Sequence, residues 1–299
     1  MQHIVIGSRG SDLALWQANH VKSQLENLGC TVEIKIIVTQ GDAIQDLSFD
    51  KLEGKGFFTK EIEVALLNKS IDLAVHSHKD LETNPPAGLI VACVSEREDP
   101  ADLMLIAKSA IDSSKEWNLK TNAIVGTSSA RRKSQVVRFR DDVEIKDLRG
   151  NVPTRIQKLR DGNYDAILLA KAGVDRLQID LSEFELVVLN PKAFVPAPAQ
   201  GVLALQIREE DTTLFNVLQK MNHPEVQRRI AVERKVLNLM EGGCQLPLGV
   251  YCDEKDIVYV SHSDDWTKGS AWYEYDAEDL EGLAEFIVED ITTAFEEED

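Results

Sequence analysis

The chain has 299 residues, with 33 Lys or Arg against 51 Asp or Glu and a formal net charge of −18. This length is enough for two or three domains with sizeable cores. No apolar run of about eighteen residues occurs, which argues against a membrane-spanning helix. The strongly acidic balance disfavours a broad nucleic-acid-binding surface.

The N-terminus and the cysteines indicate the compartment in which the protein works. A strand pattern begins at His3, which leaves no room for a signal or transit peptide. Cys30, Cys93, Cys244 and Cys252 lack CxxC spacing, and such usage is typical of a reducing compartment. The six histidines form no obvious cluster of metal ligands. We therefore expect a cytoplasmic protein without a metal site.

The first predicted strand leads into a polar turn. The segment Gly7 to Ser11 follows a short apolar run and precedes apolar residues at helical spacing. Arg9 and Ser11 then lie at the start of a helix, where backbone N–H groups and the helix dipole attract anions.

A second polar segment follows the apolar run Leu73 to Val75, which predicts a buried strand. Open α/β sheets bind ligands at this carboxyl end of their strands. His76 and His78 are more simply explained as structural residues. Lys79 and Asp80 could form an exposed ion pair, which would contribute little to stability. Their position directly after a buried strand favours a functional role instead.

The most basic part of the chain is residues 126–176, called the basic segment below. It holds eight of the fourteen arginines, and its twelve Lys or Arg against seven Asp or Glu give +5 in a chain of −18. A basic segment in an acidic protein predicts a concave site for small anions.

The basic segment begins with a capped turn. Thr127, Ser128 and Ser129 follow a short apolar strand pattern and can cap the helix that begins near Arg131. Arg131 and Arg132 would add planar guanidinium groups that bind carboxylates bidentately. The alternative is a solvated basic helix start, and the capped turn favours the anion site.

The two halves of the chain resemble each other weakly. Ile4 to Ser11 is similar to Ile124 to Arg131, and Asp72 to Val75 is similar to Asp165 to Leu168. This repeat predicts an α/β fold with two similar domains that face each other across a cleft. Short strand patterns and a final amphipathic helix predict a small α+β domain at the C-terminus.

Cys244 follows two glycines at the predicted end of a helix. A lone cysteine is usually a small buried hydrophobic residue. A cysteine on an exposed glycine-rich loop is instead placed to act as a nucleophile or an attachment point. The residues alone leave both interpretations open.

Together, these motifs resemble the hydroxymethylbilane synthase family, also called porphobilinogen deaminases, over nearly the whole chain. Each motif alone is weak, but the set in this order is specific. The motifs are Gly7 to Ser11, Leu13 to Gln17, Gly54 to Gly56, His76 to Leu81, Gly126 to Arg132, Leu148 to Arg155 and Glu241 to Gln245.

The resemblance implies a transferase that joins four porphobilinogen molecules head to tail with loss of ammonia and then releases the linear tetrapyrrole by hydrolysis. It also implies a dipyrromethane cofactor, bound to Cys244 through a thioether, which the apoprotein builds from the pathway's own pyrroles. The implied fold has two periplasmic-binding-protein-like α/β domains, 1–96 with 196–214 and 97–195. A third domain, 215–299, would carry a three-stranded antiparallel sheet. We expect a monomer without nucleic-acid or membrane partners.

The resemblance also implies the roles of individual residues. Asp80 resembles the catalytic carboxylate, which contacts pyrrole N–H groups and stabilises cationic azafulvene-like intermediates. The residues that resemble the cofactor-binding set are Lys79, Asp80, Thr127, Ser128, Ser129, Arg131 and Arg132. Those that resemble the substrate-binding set are Arg9, Ser11, Arg149, Arg155 and Arg176. Pyrroles carry acetate and propionate groups, which an arginine-rich cleft would hold.

Three positions depart from the pattern of the family. His78 stands where many relatives carry an apolar residue, Glu82 stands where proline is common, and Ala199 replaces the first glycine of a Gly-Gln-Gly motif. None of these changes removes a residue with a chemical role. Two other functions stay open at this point, a non-catalytic solute-binding protein for anions and an acidic regulator that binds an anionic effector.

Overall fold

A computed structural model describes residues 2–39, 59–241, 246–276 and 280–296. The chain divides into two compact units, Met1–Glu98 with Gly201–Arg228 and Asp99–Gln200 with Arg229–Asp299. The finer division into three domains stays a prediction. In the described ranges, none of the helices combines the length and the apolar character that crossing a membrane requires.

The described residues form thirteen β-strands and eight α-helices. The strands are β1 (His3–Ser8), β2 (Thr31–Ile36), β3 (Leu73–Ser77), β4 (Leu89–Val94), β5 (Asp102–Ala107), β6 (Ile124–Gly126), β7 (Glu144–Lys146), β8 (Ala166–Ala170), β9 (Phe184–Val188), β10 (Leu203–Arg208), β11 (Leu248–Cys252), β12 (Ile257–His262) and β13 (Ala271–Asp276). The helices are α1 (Asp12–Asn27), α2 (Lys60–Leu67), α3 (Ala130–Phe139), α4 (Val152–Arg160), α5 (Lys171–Leu177), α6 (Thr212–Leu218), α7 (Pro224–Leu239) and α8 (Leu283–Glu296).

Each unit contains a five-stranded mixed sheet, and the two sheets have the same order. The first runs β2-β1-β3-β10-β4 and the second β7-β6-β8-β5-β9. In each sheet the first three strands are parallel, and the fourth is antiparallel to both of its neighbours. The second unit also holds the antiparallel sheet β11-β12-β13. The predicted fold class is therefore confirmed.

Two aspartates confirm the weak internal repeat at the level of hydrogen bonds. Asp72, just before β3, accepts a hydrogen bond from the backbone N–H of Val5 at 3.0 Å. Asp165, just before β8, accepts one from the backbone N–H of Ile124 at 2.9 Å. Asp72 thus links β3 to β1, and Asp165 links β8 to β6 in the same way. The two halves of the chain therefore share this local structure.

The central strands are apolar because helices cover both faces of each sheet. All six residues of β10 are buried, and so are the first four of β8. Separate apolar cores pack on the faces of the second sheet, one around Met104 and Val136 and another around Leu105 and Ile156. These cores fix the strand ends, and the strand ends carry the polar segments singled out in the sequence.

The departure at Ala199 has a visible backbone consequence. Its φ is +60°, in the left-handed region that glycine adopts without steric cost. Its backbone N–H donates to Oε2 of the buried Glu233 at 2.7 Å, and Oε1 of Glu233 accepts from the N–H of Cys252 at 2.8 Å. A buried carboxylate therefore holds a conformation that alanine disfavours.

Candidate functional site

The predicted catalytic segment lies at the carboxyl end of β3. One turn of 3₁₀ helix, His78–Asp80, follows the strand, and the backbone N–H of His78 donates to the carbonyl of Val202 at 2.9 Å. His78 is buried, Lys79 is half-buried and Asp80 is exposed. Among the described residues, the carboxylate of Asp80 has no hydrogen-bond or ion-pair partner. It is therefore available to a ligand.

A buried polar network lies beneath this segment. His76 Nε2 lies 3.1 Å from Oε1 of Gln206, and Gln206 Nε2 donates to Oε1 of Glu63 at 3.1 Å. Burial lowers the pKa of His76 to about 4, although the hydrogen bond to Gln206 opposes the shift. Burial also raises the pKa of Glu63. His76 is thus a neutral structural residue, as expected from the sequence.

Ser11 lies at the start of α1, as predicted, and caps it, because its Oγ accepts from the backbone N–H of Ala14 at 3.4 Å. The neighbouring Ser8 is fully buried, and its Oγ donates to the carbonyl of Ala14 at 3.1 Å. Arg9 lies between them and is half-buried. The structure thus brings Arg9 and Ser11 together at the start of this helix.

The cap predicted at the start of α3 is present. Ser129 Oγ accepts from the backbone N–H of Arg132 at 3.5 Å, and Thr127 Oγ1 accepts from the N–H of Ser129 at 3.3 Å. Ser128 Oγ both donates to the carbonyl of Leu148 and accepts from its N–H, each at 3.0 Å. Ser128 is therefore committed to the fold, whereas Thr127 and Ser129 keep hydroxyl protons that can be donated.

Arg131 and Arg132 are buried around a carboxylate of their own unit. Arg131 Nη1 donates to Oδ2 of Asp102 at 2.7 Å, and Arg132 donates to Oδ1 from Nε at 3.2 Å and from Nη2 at 2.7 Å. Burial alone would raise the pKa of Asp102, but the two guanidinium groups outweigh it and hold the pKa below its usual value. Asp102 is therefore ionised.

The two arginines differ in how many donors their own unit uses. All three nitrogens of Arg132 donate, since Nη1 bonds to the carbonyl of Leu168 at 3.0 Å. Arg131 uses Nη1 alone, which also bonds to the carbonyl of Val195 at 2.8 Å. Within the described ranges, Nε and Nη2 of Arg131 donate no hydrogen bond. Arg131 is thus the better placed of the two to bind an external carboxylate.

Much of the remaining charge of the basic segment is used internally. Arg140 is buried, pairs with both carboxylate oxygens of Asp142 at 2.6 and 2.9 Å, and donates to three backbone carbonyls. Arg160 pairs with Glu183, and Lys133 with Asp147. The net charge of +5 therefore overstates the charge available to a ligand.

Apart from Arg9, the arginines expected to bind substrate lie on two helices of the second unit and on the turn before one of them. Arg149 and Arg155 flank the start of α4 and are half-buried, and Nε of Arg155 donates to the carbonyl of Gly150 at 2.7 Å. Arg176 lies on α5 and is buried. Cys244 and the segment Gly54 to Gly56 lie outside the described residues.

Asp102 and the role of Gln200 were not predicted from the sequence. Gln200 Nε2 donates to Oδ1 of Asp102 at 3.0 Å and to the carbonyl of Pro100 at 2.7 Å. One signal was present, because Asp102 is the only charged residue of the apolar strand β5. A charge at the start of such a strand predicts a buried partner.

The described side chains fit an anionic ligand with several carboxylates. The first turn of α3 leaves backbone N–H groups that its own carbonyls cannot satisfy. Hydroxyl donors at Thr127 and Ser129 and the unused nitrogens of Arg131 lie on the same turn. No group of three or more His, Cys, Asp or Glu in the described ranges is arranged to hold a metal ion.

Residues 4–216 match the family model described as "Porphobilinogen deaminase, dipyromethane cofactor binding domain". A porphobilinogen deaminase of Nitratidesulfovibrio vulgaris strain DP4 is 46% identical over 252 residues, which cover 83% of this chain and 78% of the relative. One of Sulfurimonas denitrificans is 44% identical over 264 residues, covering 87% and 82%. One of Bacillus cereus strain ZK / E33L is 46% identical over 265 residues, covering 87% and 84%.

Proposed function

The chain belongs to the porphobilinogen deaminase family and is a hydroxymethylbilane synthase with a dipyrromethane cofactor, and we propose which of its residues carry that activity. We infer a transferase that joins four porphobilinogen molecules with loss of ammonia and releases the linear product by hydrolysis. It acts as a cytoplasmic monomer without a nucleic-acid partner.

Asp80 is the catalytic carboxylate in this proposal. Loss of ammonia from porphobilinogen leaves positive charge on the pyrrole, and a fixed carboxylate that faces the ring stabilises that charge. The observation that carries the assignment is the exposed position of Asp80 on a turn that β3 and Val202 hold in place. A carboxylate with no described partner needs no ion pair to break before it meets the substrate.

The cofactor, when bound, supplies the primer to which the substrate units are added. We propose that Cys244 holds it through a thioether and that Lys79, Asp80, Thr127, Ser129, Arg131 and Arg132 bind it, with Ser128 supporting their turn. Arg9, Ser11, Arg149, Arg155 and Arg176 bind the carboxylates of the incoming substrate. Charge-assisted and bidentate hydrogen bonds make arginine well suited to this role.

Intact-mass measurement tests the proposal. The purified holoprotein should weigh more than the chain by one dipyrromethane, and peptide mapping should find the addition at Cys244. Substituting Cys93 or Cys252, both buried with thiol pKa values that burial raises to about 12, should leave the addition in place. An unmodified chain that still forms the tetrapyrrole would overturn the assignment of Cys244. An unmodified chain that binds pyrroles without forming product would indicate a solute-binding protein.

A further inference from the structure

We propose that Asp102 is a positioning residue for the cofactor, because it fixes the guanidinium groups of Arg131 and Arg132 where they meet the cofactor's carboxylates. The inference rests on the proposed function of this site. Asp102 is fully buried and its oxygens accept hydrogen bonds from the two arginines and Gln200, so it acts through the arginines.

The geometry around Asp102 leaves little freedom to either arginine. Its two oxygens accept four hydrogen bonds, of which one comes from Arg131, two from Arg132 and one from Gln200. Backbone carbonyls hold the same guanidinium groups from other directions, since Val195 accepts from Arg131 and Leu168 accepts from Arg132. A side chain held in this way needs no reorganisation when a ligand arrives.

The charges in the cluster also point to an anionic ligand. Arg131 and Arg132, each 5% exposed, surround one carboxylate with their guanidinium groups, so the three side chains together carry +1. Burying both cations without a counter-charge would be very unfavourable. A single carboxylate makes their burial possible, yet it leaves one positive charge and the unused nitrogens of Arg131 for an external carboxylate.

The internal repeat separates this role from a general requirement of the fold. In the second unit Asp102 pairs with Ala170, the last residue of β8, and in the first unit Leu203 pairs with Ser77, the last residue of β3. The equivalent position therefore holds a leucine in the first unit. Counted from their caps, Ser129 and Ser11, helix α3 has Arg131 and Arg132 where α1 has Leu13 and Ala14. The sheet forms without the aspartate where the arginines are absent.

Cofactor loading of the apoprotein tests the proposal, with porphobilinogen as the probe and intact mass as the measurement. Apoprotein made in a host that lacks porphobilinogen is mixed with it, and the fraction carrying the dipyrromethane is followed over time. Asp102→Asn should load roughly 10–100-fold more slowly than wild type, the range typical of removing a partner that orients a metal-binding side chain. Asp102→Glu keeps the charge and should recover part of the rate.

Asp253→Asn is the matched control. Asp253 has a buried carboxylate in the same unit and pairs with Lys192 at 2.5 Å, and it also accepts from the backbone N–H groups of Lys255 and Ile257 rather than from either arginine. Its variant should load at the wild-type rate. Wild-type loading by Asp102→Asn would overturn the proposal, and so would equally slow loading by Asp253→Asn at the same loss of melting temperature.

If Asp102→Asn does not fold, the comparison of Asp102→Glu with Asp253→Glu decides. The proposal predicts slower loading for the first alone, and equal rates would overturn it. Absence of any addition to the wild-type chain would instead contradict the proposed function. The two failures are therefore distinguishable.

Discussion

The two five-stranded sheets share one strand order, yet they use carboxylates in opposite ways at the edge where ligands are expected. In the first unit Asp80 lies just after a parallel strand, is exposed and has no partner among the described residues. In the second unit Asp102 begins an antiparallel strand and is buried between two arginines. A carboxylate that must interact with a changing substrate has to be accessible, whereas one that shapes a binding site is best paired and fixed.

The buried polar groups near these carboxylates also differ in charge. In the first unit burial keeps His76 neutral, and its Nε2 lies 3.1 Å from Oε1 of Gln206. In the second unit Asp102, Arg131 and Arg132 form a charged cluster. The cluster carries a net positive charge that attracts an anionic ligand, whereas neutral His76 carries none.

The largest expected effect is the loss of turnover when Asp80 is neutralised. Asp80→Asn keeps the shape of the side chain but removes its charge and its capacity to take up a proton. Loss of proton transfer alone typically costs about 10²–10⁴ in rate, and lost stabilisation of the cation adds to this. Asp80→Glu keeps the charge but displaces it by one methylene, and should retain reduced turnover.

Single-turnover release of ammonia is the appropriate measurement, on protein that mass spectrometry shows to be loaded with cofactor. The free energy of unfolding of Asp80→Asn should stay close to wild type, because no described partner is lost. Normal ammonia release by the loaded variant would mean that the catalytic carboxylate lies elsewhere.

Substitution of Arg131 should have a smaller effect on function than neutralising Asp80, but it should also lower stability. Arg131→Leu removes one partner of a buried ion pair, which typically destabilises a protein by about 3–5 kcal/mol. The variant should therefore unfold at lower urea concentration and be isolated mostly without cofactor.

Arg149→Leu provides the contrast, because Arg149 is half-buried and belongs to the substrate set. It should retain cofactor and stall during elongation, which intact-mass analysis of the enzyme-bound chain would detect. Full loading and normal elongation by both arginine variants would contradict the anion-site assignment.

The buried, neutral His76 of the first unit predicts a dependence of stability on pH. The pKa of His76 is about 4 in the folded protein and about 6.5 when unfolded, so protons bind the unfolded state more tightly. Stability from neutral His76 is present above about pH 6.5 and is lost as the pH falls toward 4. In urea unfolding, the free energy of unfolding of the wild type should fall by about 2 kcal/mol more than that of His76→Gln between pH 7 and 4.5. Equal decreases in the free energy of unfolding of the two proteins would show that His76 does not titrate in this range.

The smallest effect is expected at Ala199. Ala199→Gly relieves a left-handed backbone, which costs alanine about 1–2 kcal/mol. It also loses a buried methyl group and gains freedom in the unfolded chain, which together cost a similar amount. Its free energy of unfolding should lie within about 0.5 kcal/mol of wild type. Ala18→Gly, at a buried position of helix α1, should cost about 1–2 kcal/mol, and an equal loss at Ala199 would mean that no strain is relieved there.

Local patterns were enough to predict the strands, the helix caps and the repeat. The apolar run of β3 indicates a buried strand because a short apolar segment bounded by polar residues is typical of one. Ser11 and Ser129 identify helix starts because a cap acts within three residues. The resemblance to the family also rests on short motifs that the sequence shows directly.

The partners of the basic side chains could not be predicted in this way. The arginine-rich character of the segment indicated an anion site, but the pairing of Arg140 with Asp142 and with the carbonyls of residues 116–120 already uses one cation for the fold. Net charge counts every cation equally, and only the packed structure shows which of them are already paired.

Local sequence patterns identify the elements, their repetition and the residue types from which the site is built. The ion pair between Asp102 and Arg131, which are 29 residues apart, forms only when the sheet is assembled. The two meet because β5 runs antiparallel beside β8, which brings the start of β5 to the edge where the parallel strands end. Strand order and direction arise from the packing of the whole sheet, so no local pattern records them.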